Sequence, residues 1–183
     1  MRMNFGKQSY LYPMPVLIIA TYDENGKANA MNAAWGGIHD TNQIGICVDG
    51  SHKTADNLIL KKAFTVSIGD ADHVKACDYV GMVSGKKEPD KLKKAGFTVT
   101  KSDVVDAPII NELPMCLECE VVSYDPETGA LVGNILNVSC DEECTSFGKI
   151  DPSKMKPITY DSVNHKYITL GKIAGDAFTV KEM

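Results

Sequence analysis

The run PMPVLIIATYDENGKANAMNAAWGG, residues 13–37, decides how the rest of this chain is read. Val16 to Thr21 is a continuous apolar run, partly β-branched and of strand length, as a buried strand requires. Asp23-Glu24-Asn25-Gly26 follows, and Asn-Gly is a strong hairpin signal because both residues tolerate positive φ. The return strand is expected over Lys27 to Trp35. Its Ala and Asn residues are poor strand formers, so propensity did not choose them. Tiny side chains ending in Gly36-Gly37 let a flat group lie close against the backbone.

Downstream, Ser51-His52-Lys53-Thr54-Ala55-Asp56-Asn57 opens a helix expected over Lys53 to Lys62. Free N–H groups at such a start, with hydroxyls and a lysine beside them, hold a phosphate readily. The same residues also read as a plain cap made by Thr54 or Ser51. Set beside the small-residue strand, they suggest a ligand with a flat ring at one end and a phosphate at the other.

Working outward, strands are expected at Asn42 to Val48 and Ala63 to Ile68, with a helix from Ala71 to Val80 capped by Asp70 or Asp72. Gly85 breaks that helix, and Pro89 opens a brief one that ends at Gly96. Ser84 and Lys91 read either as a second arm around an anion or as a polar turn and a solvated lysine. Phe97 to Thr100 is a short strand and Ala107 to Ile110 an extended link. Cys116 to Tyr124 and Leu131 to Ser139 form a hairpin through Asp125-Pro126-Glu127-Thr128-Gly129. Asp141 to Pro157 reads as irregular, and the last strand as Lys166 to Leu170. Without βαβ alternation or repeats, the pattern predicts one domain over residues 1–183, mainly β with short α-helices. A closed or split antiparallel barrel of Greek-key type is the natural architecture.

The 183 residues suffice for a substantial core, and 44% hydrophobic content with mixed charges is that of an ordinary globular protein. A formal charge of −5 argues against a nucleic-acid binder, which needs a basic face. The longest apolar run is far too short to cross a bilayer, and no charged-then-apolar leader opens the chain, so a cytoplasmic protein is expected. Its six cysteines are then reduced thiols. Cys116-Leu117-Glu118-Cys119 looks like a redox or zinc motif, but neighbours three apart on a strand face opposite ways. Acids between Cys140 and Cys144 oppose thiolate formation, and no metal is expected. Neither Gly-x-Ser-x-Gly, a Walker loop, Gly-x-Gly-x-x-Gly nor His-Glu-x-x-His occurs, and the four histidines are scattered. No catalytic side chain stands out, which leaves chemistry supplied by a cofactor.

Pro15-Val16-Leu17, Thr21-Tyr22-Asp23, Asn25-Gly26-Lys27 and above all Asn29-Ala30-Met31-Asn32-Ala33-Ala34-Trp35-Gly36-Gly37 resemble the flavin reductase-like family, and within it the flavoredoxin branch. Lys53-Thr54-Ala55-Asp56-Asn57-Leu58, Phe64-Thr65-Val66-Ser67-Ile68, Ser84-Gly85, Asp90-Lys91, Asp106-Ala107-Pro108, Cys119-Glu120, Tyr167 and Gly171 continue the match in order. The resemblance implies an FMN-binding split barrel that works as a homodimer. It implies that Asn32, Ala33, Ala34 and Trp35 contact the ring through exposed main-chain N–H groups. Lys53, Thr54 and Asn57 then form the phosphate loop, with Ser51 and His52 just before it. Ser84 and Lys91 reach the cofactor from a further segment. Relatives often carry an arginine where this chain has Ser51-His52. Hydride from NADH or NADPH to FMN, with donors such as Lys53 near the ring, is the activity implied, and a flavin, an iron complex or a protein is the acceptor. A redox protein as donor makes the chain a carrier instead. A barrel without flavin, or thiol chemistry at Cys116 and Cys119, are the remaining alternatives.

Overall fold

The run Val16–Ala20 has no polar positions because both of its faces are covered. In the computed structural model, which describes residues 1–179, it forms β2 (Leu17–Tyr22), preceded by the two-residue β1 (Met14–Pro15). Leu17 and Ile19 enter one core with Ile44, Ile46, Phe64 and Leu131. Val16, Ile18 and Ala20 enter a second with Val80, Leu92 and Phe97. The strand alternates as any strand does, but each face meets an apolar layer. The hairpin returns as β3 (Ala28–Ala33), with Tyr22 opposite Ala28. Of its turn residues only Gly26 takes positive φ, +74°. The link is therefore a three-residue loop closed by a left-handed glycine, not a two-residue Asn-Gly turn. Asp23 Oδ1 accepts the N–H groups of Asn25 and Lys27, each at 2.9 Å, and pins the loop.

β3 stops at Ala33, short of the expected Trp35. The chain turns at Ala34-Trp35 and continues as β4 (Gly36–Asp40), a strand that the sequence pattern hid, paired with β5 (Gln43–Cys47). A Cβ at Gly36 would lie 2.9 Å from Leu17 Cδ1 and 3.0 Å from the Gly45 carbonyl, so glycine permits this close crossing. There follow α1 (Lys53–Lys61), β6 (Ala63–Ile68), α2 (Val74–Met82), α3 (Lys91–Ala95), β7 (Val99–Lys101), β8 (Pro108–Ile110), β9 (Met115–Tyr124) and β10 (Ala130–Cys140). The second helix starts later than Ala71 because Asp70 Oδ1 accepts the His73 N–H at 2.8 Å, closing a turn ahead of it.

Seven strands pair antiparallel in the order β3-β2-β6-β9-β10-β5-β4. The two edges, β3 and β4, are consecutive in the chain and joined only through Ala34-Trp35. The curled sheet is thus a barrel left open along one seam, the split barrel expected. Beyond it, the stretch expected to be irregular holds a 3₁₀ turn (Glu142–Cys144), β11 (Thr145–Ser146), β12 (Lys149–Ile150) and α4 (Pro152–Met155). A further unforeseen strand, β13 (Ile158–Asp161), lies between β1 and β14 (Lys166–Thr169).

Candidate functional site

At the start of α1, Asp49 Oδ1 accepts the Ser51 N–H at 2.8 Å, and the Asp49 carbonyl accepts that of His52 at 3.2 Å. This turn delivers His52 to the N-cap position with φ −74° and ψ 151°, and no side chain caps the helix. Thr54 is 1% exposed, and its Oγ1 accepts from Asn29 Nδ2 at 3.0 Å. The plain-cap reading is thereby set aside. The first amides of α1 keep no side-chain partner of their own.

Opposite that terminus lies the C-terminal end of α2. His52, Lys53, Thr54, Ser84 and Lys91 come together around a cleft of about 90 Å³, with Gly81, Met82 and Gly85 completing its far wall. Lys91 is 4% exposed, and its Nζ donates to the carbonyls of Val80 and Val83 at 2.9 and 2.8 Å. Those carbonyls belong to a helix end, where a cation is favoured. Burial pushes its ammonium down to about 8, with no carboxylate among the described residues to hold it up. One N–H of the ammonium is left for the cleft. Lys91 is therefore not a solvated lysine but a buried cation without a counter-ion among the described residues.

Two further observations fit an anionic, hydroxylated ligand here. Asn29, which the sequence reading assigned no role, lines the cleft at 7% exposure, and its Oδ1 has no hydrogen-bond partner. That oxygen suits a ligand hydroxyl. With the amide turned over, Thr54 would donate to Oδ1 and the NH₂ would face the ligand instead. At Gly85 a Cβ would lie 2.1 Å from Asn29 Oδ1, so only glycine leaves the amide its place. Lys53 lines the same cleft, its Nζ 3.3 Å from Glu24 and 3.8 Å from Asp23.

The cleft shares Gly81 and Met82 with a neighbouring pocket of about 240 Å³, lined also by Asn32, Ala34, Asp78, Tyr160 and Tyr167. Asn32 Nδ2 donates to the Cys77 carbonyl at 3.1 Å, and the Tyr167 hydroxyl donates to Asp78 at 2.8 Å. β3 is an edge of the sheet, so its outer row of main-chain groups has no strand partner among the described residues. Ala33 turns its methyl into the core, leaving its backbone for any contact. Trp35 is 58% exposed and lines a separate cavity of about 430 Å³ with Ala34, Gly36 and the N-terminal Gln8, Tyr10 and Leu11.

Two expected residues lie outside the cleft. Ser51 is exposed in the preceding turn. Asn57 is 1% exposed and donates to Thr21 Oγ1 at 2.9 Å, bracing α1 on the sheet. It sits one turn into the helix, beyond the free amides. Cys116 and Cys119 are buried and unbridged, their thiols pushed up by burial to about 11 and about 12. Among the described residues no three His, Cys, Asp or Glu side chains form a group able to hold a metal, and no helix is long and apolar enough to cross a membrane.

A sequence profile of the flavin reductase like domain matches residues 9–160. The chain belongs to the flavin reductase-like family. Its fold is similar to that of flavoredoxin from Desulfovibrio vulgaris (Miyazaki F), with 31% identity, both chains covered in full and a TM-score of 0.94. It is similar too to flavoredoxin from Methanosarcina acetivorans, at 30% identity over 98% of this chain and 96% of that one, with a TM-score of 0.88. An uncharacterised protein of Pyrococcus abyssi is 30% identical over 145 residues, 76% of this chain and 81% of its own length. Asn29 carried a signal legible in the sequence: an Asn within a strand, where its amide must find partners.

Proposed function

We propose that the chain is an FMN-dependent oxidoreductase, with the cofactor's phosphate in the cleft at the start of α1 and its ring along the free edge of β3. The observation that carries this reading is Lys91: a buried ammonium at the cleft, with two main-chain carbonyls as its only hydrogen-bond partners among the described residues. Lys91, the first amides of α1 and Lys53 would hold the phosphate. Asn29 would take a hydroxyl of the linking chain. Asn32, Ala33, Ala34 and Trp35 would offer main-chain groups to the ring, the short side chains of Ala33 and Ala34 keeping the approach open. When bound, FMN supplies a ring that accepts a hydride and returns electrons singly or in pairs.

NADH or NADPH as donor makes the chain a flavin reductase; a reduced protein as donor makes it an electron carrier. The likeness to two flavoredoxins favours keeping the second reading beside the first. Anaerobic mixing of the flavin-loaded protein with each pyridine nucleotide separates them. Rapid bleaching of the flavin by either nucleotide alone supports the reductase; bleaching only with a reduced protein supports the carrier. A homodimer is part of the proposal, because Trp35, Ile38, Tyr10 and Leu11 leave apolar surface exposed around the open seam. Six unbridged cysteines suit a reducing compartment such as the cytoplasm.

A further inference from the structure

We propose that the pocket beside the cleft is a binding site for a flat organic cation, an amidinium or aryl-ammonium, and that it turns anionic molecules away. That its occupant meets the flavin rests on the FMN reading above. The pocket, about 240 Å³, shares Gly81 and Met82 with the cleft, yet its chemistry is the opposite. Lys53 and Lys91 line the cleft, whereas no basic side chain lines the pocket and Asp78 is its one charged group. Among the described residues that carboxylate makes no ion pair and accepts only from the Tyr167 hydroxyl, at 2.8 Å. A Cβ at Gly81 would lie 2.9 Å from Asn32 Cβ, so glycine lets α2, which carries Asp78, lie this close to β3.

The side-chain donors of the pocket wall are engaged with the protein. Burial first, then the Asp78 carboxylate, raise the Tyr167 hydroxyl, so it keeps its proton and directs it to Asp78. Asn32 Nδ2 donates to the Cys77 carbonyl at 3.1 Å and lies 3.5 Å from the Tyr167 oxygen. A carbonyl can only accept, so the Asn32 amide is fixed with its oxygen left over. Asn32 Oδ1 and the second oxygen of Asp78 therefore await a ligand that donates. The Tyr160 and Tyr167 rings supply an aromatic wall, their centroids 5.8 Å apart and their planes at 49°. Such faces attract a cation, and a carboxylate beside them adds to the attraction. Asn32 and Ala34 also place the pocket where the flavin ring is proposed to run. An anionic acceptor, such as an iron chelate or a free flavin phosphate, meets a like charge there.

The test is a ligand-observed NMR titration with benzamidinium, benzamide and benzoate, which share one ring and shape but are cationic, neutral and anionic in turn. Each is titrated into the flavin-loaded and the flavin-free protein, loading being followed by flavin absorbance. Benzamidinium should bind both about tenfold tighter than benzamide does, with benzoate weaker than either. Asp78→Asn removes the charge but keeps an acceptor for Tyr167. It should bring benzamidinium within about threefold of benzamide while FMN affinity holds, which also shows that it folds. Raising the salt should narrow the parent protein's preference, since Asp78 is exposed. Failure of benzamidinium to bind, three probes bound alike, or a preference that survives Asp78→Asn overturns the inference. So does binding to the flavin-free protein alone, because the ring would then fill the pocket. A chain that takes up no FMN overturns the FMN reading instead, and the probes still test the pocket on the flavin-free protein.

Discussion

A buried ammonium is costly unless an anion comes to meet it. Burial pushes Lys91 from 10.5 to about 8. Below that pH the folded protein carries the charge and an anion gains from it; above it the amine is neutral. FMN affinity is therefore expected to fall as pH rises from about 7 to 9. Lys91→Met should weaken binding by about 10- to 100-fold and flatten that profile, as a titration at each pH would show. Without flavin the sign reverses. The unfolded chain holds the proton more tightly, so from about pH 8 to 10.5 stability gains from Lys91 as pH rises. Gly85→Ala presses a methyl onto Asn29 Oδ1 and should lower flavin affinity at least about tenfold with the circular dichroism spectrum kept. Asn57→Ala should do the opposite, costing about 1–2 kcal/mol in urea unfolding while affinity barely moves. Lys53 and Thr54 were candidates from residue type and order, and Lys91 only through the family resemblance; the structure brings all three to one cleft. The burial of Lys91 and the orphaned oxygen of Asn29 were not legible, because they depend on tertiary packing: of Lys91 against the end of α2, and of Asn29 between Thr54 and Gly85.

At the level of elements, the continuous apolar run of β2 and the turn chemistry between β9 and β10 announced themselves. β4 did not: Gly36-Gly37 reads as an ending, and only its contact with Leu17 and Gly45 shows why glycine continues the sheet. β13 is hidden by the proline directly before it. The spacing Cys116-x-x-Cys119 suggested chemistry that its strand denies. Their raised thiols carry almost no thiolate near neutral pH. Replacing both with Ala should leave the rate of flavin reduction within about twofold, measured by stopped-flow absorbance. The same change should cost about 1–3 kcal/mol in stability, chiefly through Cys119 in the main core.

For the whole molecule, the absence of βαβ alternation was enough to predict an antiparallel barrel. Which strands become its edges was not legible, since that follows from long-range pairing of β10 with β5 and β2 with β6. The open seam places β3's free edge beside apolar surface that includes Ile38, 72% exposed. If a second copy covers that surface, Ile38→Asp should shift the protein from dimer to monomer in sedimentation analysis. The most direct test of the account is the visible absorbance of the protein as purified, followed by titration of the stripped protein with FMN. The account predicts a yellow protein that binds one FMN per chain, and a Lys91→Met variant that releases it readily. A protein that is colourless and ignores added FMN would contradict it.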